Sequence, residues 1–129
     1  MTTQRAVIDQ VLAIRPFVPA RDMAQSKLFY ERLGFVATHT DKDIVMLKQG
    51  SFSFILQNYY VQELADNFML QMLVRDGDAW WQDHVDAAKL VGEFAVKAPR
   101  SPSLQAWGMK VGIIWDPSGV LWHIAEAPF

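Results

Sequence analysis

The order strand, helix, strand, strand, strand runs twice along this chain, and no other feature constrains its fold as strongly. In the first pass, residues 11–18 read as a strand, with Pro16 marking an edge or a bulge. Residues 22–33 read as a helix, with Asp22 as N-cap and Gly34 as the stop. Met23, Ser26, Tyr30 and Leu33 fall on one stripe of it, with Phe29 alongside. Three short strands follow at 35–39, 44–48 and 52–57, separated by polar turns. In the second pass, 68–74 is a strand and Arg75-Asp76-Gly77-Asp78 opens a helix, with Asp78 as the better N-cap. That helix carries Trp81, Val85 and Ala88 on one face and ends near Gly92. Strands at 93–97, 109–115 and 120–125 complete the order, the last two joined by the turn Asp116-Pro-Ser-Gly119. Arg21-Asp22 recurs as Arg75-Asp76, and Gly34 as Gly92. The expectation is one α+β domain over 1–129, with module one at about 11–60 and module two at about 66–126.

Composition narrows the functional classes. With 51% apolar residues the 129-residue chain can build a real core. It has no cysteine, hence no disulfide framework, thiolate metal site or cysteine nucleophile, which is compatible with a reducing cytosol. We expect a cytoplasmic protein: residues 1–10 lack the pattern of a signal peptide, and no apolar run approaches the roughly 18 residues of a membrane span. The net charge of −2 without a basic stripe argues against nucleic acid. Irregular stretches lie at 58–67 and 98–108, and the second is longer than a hairpin needs, which hints at a functional loop.

Alternation divides the strands into faces. Positions 52, 54 and 56 are all large and apolar and would cover a helix, while 53, 55 and 57 are mixed and would face a cavity. Trp122 and Ile124 share one side of their strand, and Leu121, His123 and Ala125 the other; the period alone leaves open which is the cavity side.

Val18-Pro-Ala-Arg-Asp22, Phe29-Tyr30, Leu33-Gly34-Phe35, Trp107-Gly108 and Asp116-Pro-Ser-Gly119 resemble, in order, phrases of the vicinal oxygen chelate superfamily. That superfamily includes glyoxalase I, extradiol dioxygenases, and fosfomycin and bleomycin resistance proteins. The resemblance covers about residues 12–126. It implies two βαβββ modules whose sheets curl into a half-open barrel around a cavity.

The resemblance also locates a metal site, with one ligand from each of four strands. The corresponding positions here are Arg15, either Ile55 or Gln57, Met69 and His123. A guanidinium has no available lone pair for a cation, and a thioether is too soft for a hard divalent ion. At most two of the four positions are competent, where catalytic sites usually use three protein ligands. The metal site is therefore read as lost, and no cofactor is expected. His123 is the one weak candidate ligand. His39 reads as part of a solvated turn beside Asp41 and Asp43, and His84 as a helix histidine without a role.

Arg15 is either an exposed edge residue or a cavity cation in need of an anion. Phe17 shares its side of the strand. Trp80 and Trp81 point about 100° apart on a helix, so one is read as core and the other as a surface anchor. Trp107 in the long loop and Tyr59 after a strand could grip a flat molecule between rings. The expectation is a metal-independent small-molecule binder similar to the bleomycin-resistance branch. It would sequester an aromatic antibiotic or related natural product in a groove at a homodimer interface. The candidate ligand-binding residues are Arg15, Phe17, Gln57, Tyr59, Met69, Trp107 and His123, with no catalytic residue and no nucleic-acid or membrane partner. The alternative is a metal-dependent lyase, isomerase or dioxygenase using His123, Gln57 and a third ligand such as Glu126 or His39.

Overall fold

The computed structural model describes residues 10–129. The first half supplies β1 (Phe17–Pro19), α1 (Met23–Arg32), β2 (Val36–Thr40), β3 (Ile44–Gln49) and β4 (Phe52–Gln57). A short helix, α2 (Gln62–Asp66), leads into β5 (Met69–Val74), α3 (Gly77–His84), α4 (Ala87–Phe94), β6 (Arg100–Leu104), β7 (Lys110–Trp115) and β8 (Leu121–Glu126). The strands form two four-stranded sheets, ordered β1-β4-β3-β2 and β5-β8-β7-β6. In each, the first strand runs parallel to the last and the other pairs are antiparallel. This is the α+β architecture expected from the doubled order, with each half closing its own sheet. Among the described residues no strand pairing joins the two sheets, so they do not close into a barrel.

Side-chain caps fix the helix starts. Asp22 accepts a hydrogen bond from the Gln25 backbone N–H at 3.1 Å, and Asp76 accepts from Ala79 at 3.0 Å. The second cap is thus Asp76, not Asp78, whose carboxylate pairs with Lys110. The expected second helix is two. The α3 helix ends at His84, and Asp86 caps α4 by accepting from Lys89 N–H at 3.1 Å. Gly92 lies inside α4 instead of ending it, and Ala95 takes the left-handed conformation there, at φ 54°. The strand expected at 93–97 is absent because Phe94, the last residue of α4, is buried edge-on against Phe29 at 5.2 Å. Its place in the order is taken by β6, inside the stretch read as a loop. The first strand is shorter than expected, three residues starting after Pro16.

One core spans both halves. Ser26, Phe29, Tyr30 and Leu33 are buried on the inner stripe of α1. The Tyr30 ring meets the edges of Phe35, Phe54 and Trp122, so rings from both sheets converge on one helix residue. Burying each ring contributes about 2–3 kcal/mol. The Asp116-Pro-Ser-Gly119 turn is also a clasp. The Arg21 backbone N–H donates to Ser118 Oγ at 2.9 Å, joining the second module's last turn to the start of α1. Reciprocally, Trp80 Nε1 on α3 donates at 2.9 Å to Gln49 Oε1, beside the first module's β3–β4 turn.

The helices cover one face of each sheet and leave the other open. Phe54 and Leu56 are buried, as are Trp122 and Ile124, which settles the face that the alternation left undecided. Phe52 departs from its expected partners. At 82% exposure it opens β4 at the rim of a groove instead of lying under a helix.

Candidate functional site

Two kinds of surface could receive a ligand. The first is a groove of about 710 Å³ between the halves. The first half contributes Pro16, Phe52, Phe54 and Gln49, and the second contributes Trp80 and Trp122. Residues 70–74 of β5 also line it, because β5 pairs only with β8 and leaves its other edge toward the groove. Its walls are mainly apolar and aromatic. The Trp80 indole is held by its bond to Gln49 and by a tilted ring contact with His84, centroids 4.8 Å apart. Trp80 and Trp81 are both half-buried against the core, and Trp80 also faces the groove.

The second surface is the open face of each sheet. On the first sheet, Phe17 lies opposite Ile55, which lies opposite Met46, and Gln57 lies between Pro19 and Ile44. On the second, Gln71, His123, Ile113 and Arg100 form one row, and Met69, Leu121 and Trp115 form the next. Phe17 is 51% exposed and Met69 58%. The structure thus puts Phe17 and Gln57 together on one open face, and Met69 and His123 together on the other. None of the four lines the groove.

The remaining candidates sit at the margins. Arg15 is exposed, and its Nε donates to Ser53 Oγ at 2.6 Å, so its cation lies at a groove-lining residue of β4. Tyr59 follows β4, half-exposed, and its carbonyl accepts from Ala20 N–H at 3.2 Å. Trp107 stands at the tip of the β6–β7 hairpin, 63% exposed. The hairpin is closed by Gln105 N–H donating to Met109 at 2.8 Å and by Gly108 N–H donating to Gln105 at 2.9 Å. Gly108 takes φ +96°, a backbone that side chains rarely adopt. The expected functional loop is thus a structured hairpin that presents an indole. His39 does lie in a solvated turn, its Nε2 2.7 Å from Asp41 Oδ2.

Sequence reasoning missed Trp115, which has the Lys97 ammonium and the Arg100 guanidinium each 5.3 Å from its ring centroid. It also missed the groove residues Phe52, Gln49 and Trp80. Phe52 carries a readable signal, as an apolar residue at a strand's outer end.

The residues at the superfamily's metal positions do not fit an ion. Arg15 is hydrogen-bonded to Ser53, Met69 is an edge-strand thioether, and Gln57 and His123 stand on separate sheets. Among the described residues, no three His, Asp or Glu side chains are gathered where they could hold a metal.

No family model matches the chain. A bleomycin resistance protein of Klebsiella pneumoniae is 28% identical over 116 residues, covering 86% of this chain and 89% of its own length. Among solved structures, a bleomycin-binding protein complexed with bleomycin superimposes with a TM-score of 0.72 at 24% identity, covering 89% of this chain and 98% of its own. The bleomycin resistance determinant encoded on the transposon Tn5 gives 0.72 at 22% identity, with 91% and 98% covered. A lactoylglutathione lyase from Agrobacterium tumefaciens gives 0.61 at 15% identity, with 89% and 93% covered. These likenesses and the two matching four-stranded sheets show that the chain has the glyoxalase/bleomycin resistance fold.

Proposed function

We propose that this protein binds an aromatic small molecule, an antibiotic or related natural product, and holds it without transforming it. The observation that carries the reading is the pair of open sheet faces, with large apolar side chains half exposed and, among the described residues, no set of three metal-ligating side chains. Likeness to bleomycin-binding and bleomycin resistance proteins supports it. In this reading the ligand-binding residues are Arg15, Phe17, Gln57, Tyr59, Met69, Trp107 and His123, brought to one groove when two copies of the chain pair. Half-exposed Phe17, Met69 and Leu73 are the kind of surface a second copy would cover. Sequestration in a cytoplasmic homodimer would then give resistance by lowering the free ligand.

A second placement is favoured by the groove between β4 and β5. Its volume of about 710 Å³ and aromatic lining are those of a preformed small-molecule pocket.

Isothermal titration with bleomycin and a panel of aromatic antibiotics tests the function. The expected result is saturable binding with the ligand recovered unchanged, by a protein that sediments as a dimer. Absence of heat and of thermal shift across the panel, or chemical conversion of the ligand, overturns it. Phe17→Ala and Phe52→Ala separate the placements, since the first lies on an open face and the second at the rim of the groove.

A further inference from the structure

The geometry points to an anion-recognising subsite on the open face of the second sheet, built by Lys97, Arg100 and Trp115 and selecting aromatic ligands that carry an acidic group. The inference rests on the binding reading above and adds the charge class of the ligand.

Lys97 and Arg100 both approach Trp115, each cation 5.3 Å from the ring centroid. The π-face attracts each of them, but two like charges at one ring repel. Among the described residues the ion pairs are Arg32–Glu93, His39–Asp41 and Lys110–Asp78, and neither Lys97 nor Arg100 takes part in one. Neither donates a side-chain hydrogen bond to the described residues. Among the described residues nothing engages the guanidinium fork or the ammonium, and both have donors to offer an anion.

The surroundings reinforce this. The four strands of this sheet carry a single carboxylate, Glu126. Its Oε1 is turned to the helix side, accepting from the Gly77 N–H at 2.9 Å. The open face has no acidic residue on its strands, and His123 lies in the same cross-strand row as Arg100, with Ile113 between them. In a chain with a net charge of −2, this face is locally basic. Leu121 and Met69 extend the row of Trp115 and offer an apolar floor for a ring. An aromatic body on that floor would bring a carboxylate or sulfonate to the Arg100 fork, where a paired N–H···O contact is geometrically matched.

Calorimetric titration with three probes of equal ring size tests the subsite: 2-naphthoate, 2-naphthalenemethanol and 2-naphthylmethylammonium. The wild-type protein should bind the anion about tenfold or more tightly than the alcohol, and the cation most weakly. In the double variant Lys97→Gln, Arg100→Gln the anion should fall to the affinity of the alcohol, with the alcohol unchanged. Arg100→Lys, which keeps the charge but not the fork, should give an intermediate preference. Both residues are exposed, so the variants keep the fold, which far-UV and near-UV circular dichroism would verify. Equal affinity for all three probes, no binding of any, or an anion preference that survives the double variant overturns the subsite. Binding of the naphthyl probes without charge preference leaves the binding reading intact. That reading is judged separately by the antibiotic titration.

Discussion

Tyr30 and Asp116 lie 86 residues apart, in different halves of the chain, and share a 2.6 Å hydrogen bond in which the phenol donates to Asp116 Oδ2. Asp116 Oδ1 accepts from the backbone N–H groups of Ser118 at 2.8 Å and Val120 at 2.9 Å. Trp122 Nε1 donates to Tyr30 Oη at 2.9 Å. The network satisfies a buried carboxyl, a buried phenol and an indole at the seam between the sheets. Tyr30→Phe keeps the ring contacts, removes one donor to Asp116 and leaves the Trp122 N–H without its acceptor. The expected cost is about 3 kcal/mol in urea unfolding at an unchanged m-value. A loss below about 1 kcal/mol would show that the seam is held by ring packing alone.

The same carboxyl makes stability depend on pH in an unusual direction. Desolvation raises Asp116 from 3.8 to about 6, although Tyr30 and the backbone donors pull it down. Between those values the folded protein holds a proton that the unfolded chain has lost. The stabilisation from this group is complete below 3.8 and is lost as pH rises through about 6. Exposed Asp41 and Glu93, lowered by their bonds to His39 and Arg32, act in the opposite sense and lose their small contributions as the medium becomes more acid. Urea midpoints should therefore peak between 3.8 and about 6 and decline toward neutrality. Asp116→Asn should flatten the upper limb. A midpoint that climbs from pH 5 to pH 7 in the wild type would contradict this.

How far the sequence reveals this fold follows from what each residue needs. Asp22 is legible because an N-cap acts on its own helix, whereas Asp78 looks as good a cap as Asp76 in the sequence and only the bond from the Ala79 N–H singles out Asp76. The break at Val85 and the second cap at Asp86 are hidden because the apolar spacing of Trp81, Val85 and Ala88 continues across the break. Phe94 and Val96 alternate like a strand, yet the contact of Phe94 with Phe29, on another helix, decides the matter. The β6 strand is polar, contains Pro102 and is nearly all exposed, so no alternation marks it. Strand parity alone puts candidates such as Phe17 on an open face. The groove and the Trp115 cluster join residues far apart in sequence, where parity says nothing.

Two glycines should respond oppositely to alanine. Gly112 on β7 lies directly under Trp81, and a Cβ there would meet Cζ3 at 2.5 Å and Cε3 at 2.9 Å. The indole ring is rigid and packed, so α3 must shift. Gly112→Ala should cost about 1–3 kcal/mol. Gly92 sits within α4, and a methyl group added to it would meet nothing within 4 Å. Gly92→Ala should stabilise by about 0.5–1 kcal/mol through the lost freedom of the unfolded chain. Paired thermal melts check both signs, and a destabilised Gly92→Ala would mean that α4 is not helical at that point.

Trp107 separates a binding surface from a merely exposed one. The hairpin tip presents it through the Gly108 turn and the Gln105–Met109 bond, with 63% of the residue in solvent. A large indole kept outside the core contributes little to folding, so Trp107→Ala should change stability by no more than about 0.5 kcal/mol. If the indole stacks on a ligand, the same variant should weaken binding about tenfold, equivalent to ~1.4 kcal/mol. Titration of wild type and variant with whichever aromatic antibiotic binds reads the affinity, and melting in its absence reads the stability. Weakened binding with unchanged stability places Trp107 in the site. Unchanged affinity removes it and leaves Phe17, Tyr59 and the β4–β5 groove as the surfaces that could hold a ring.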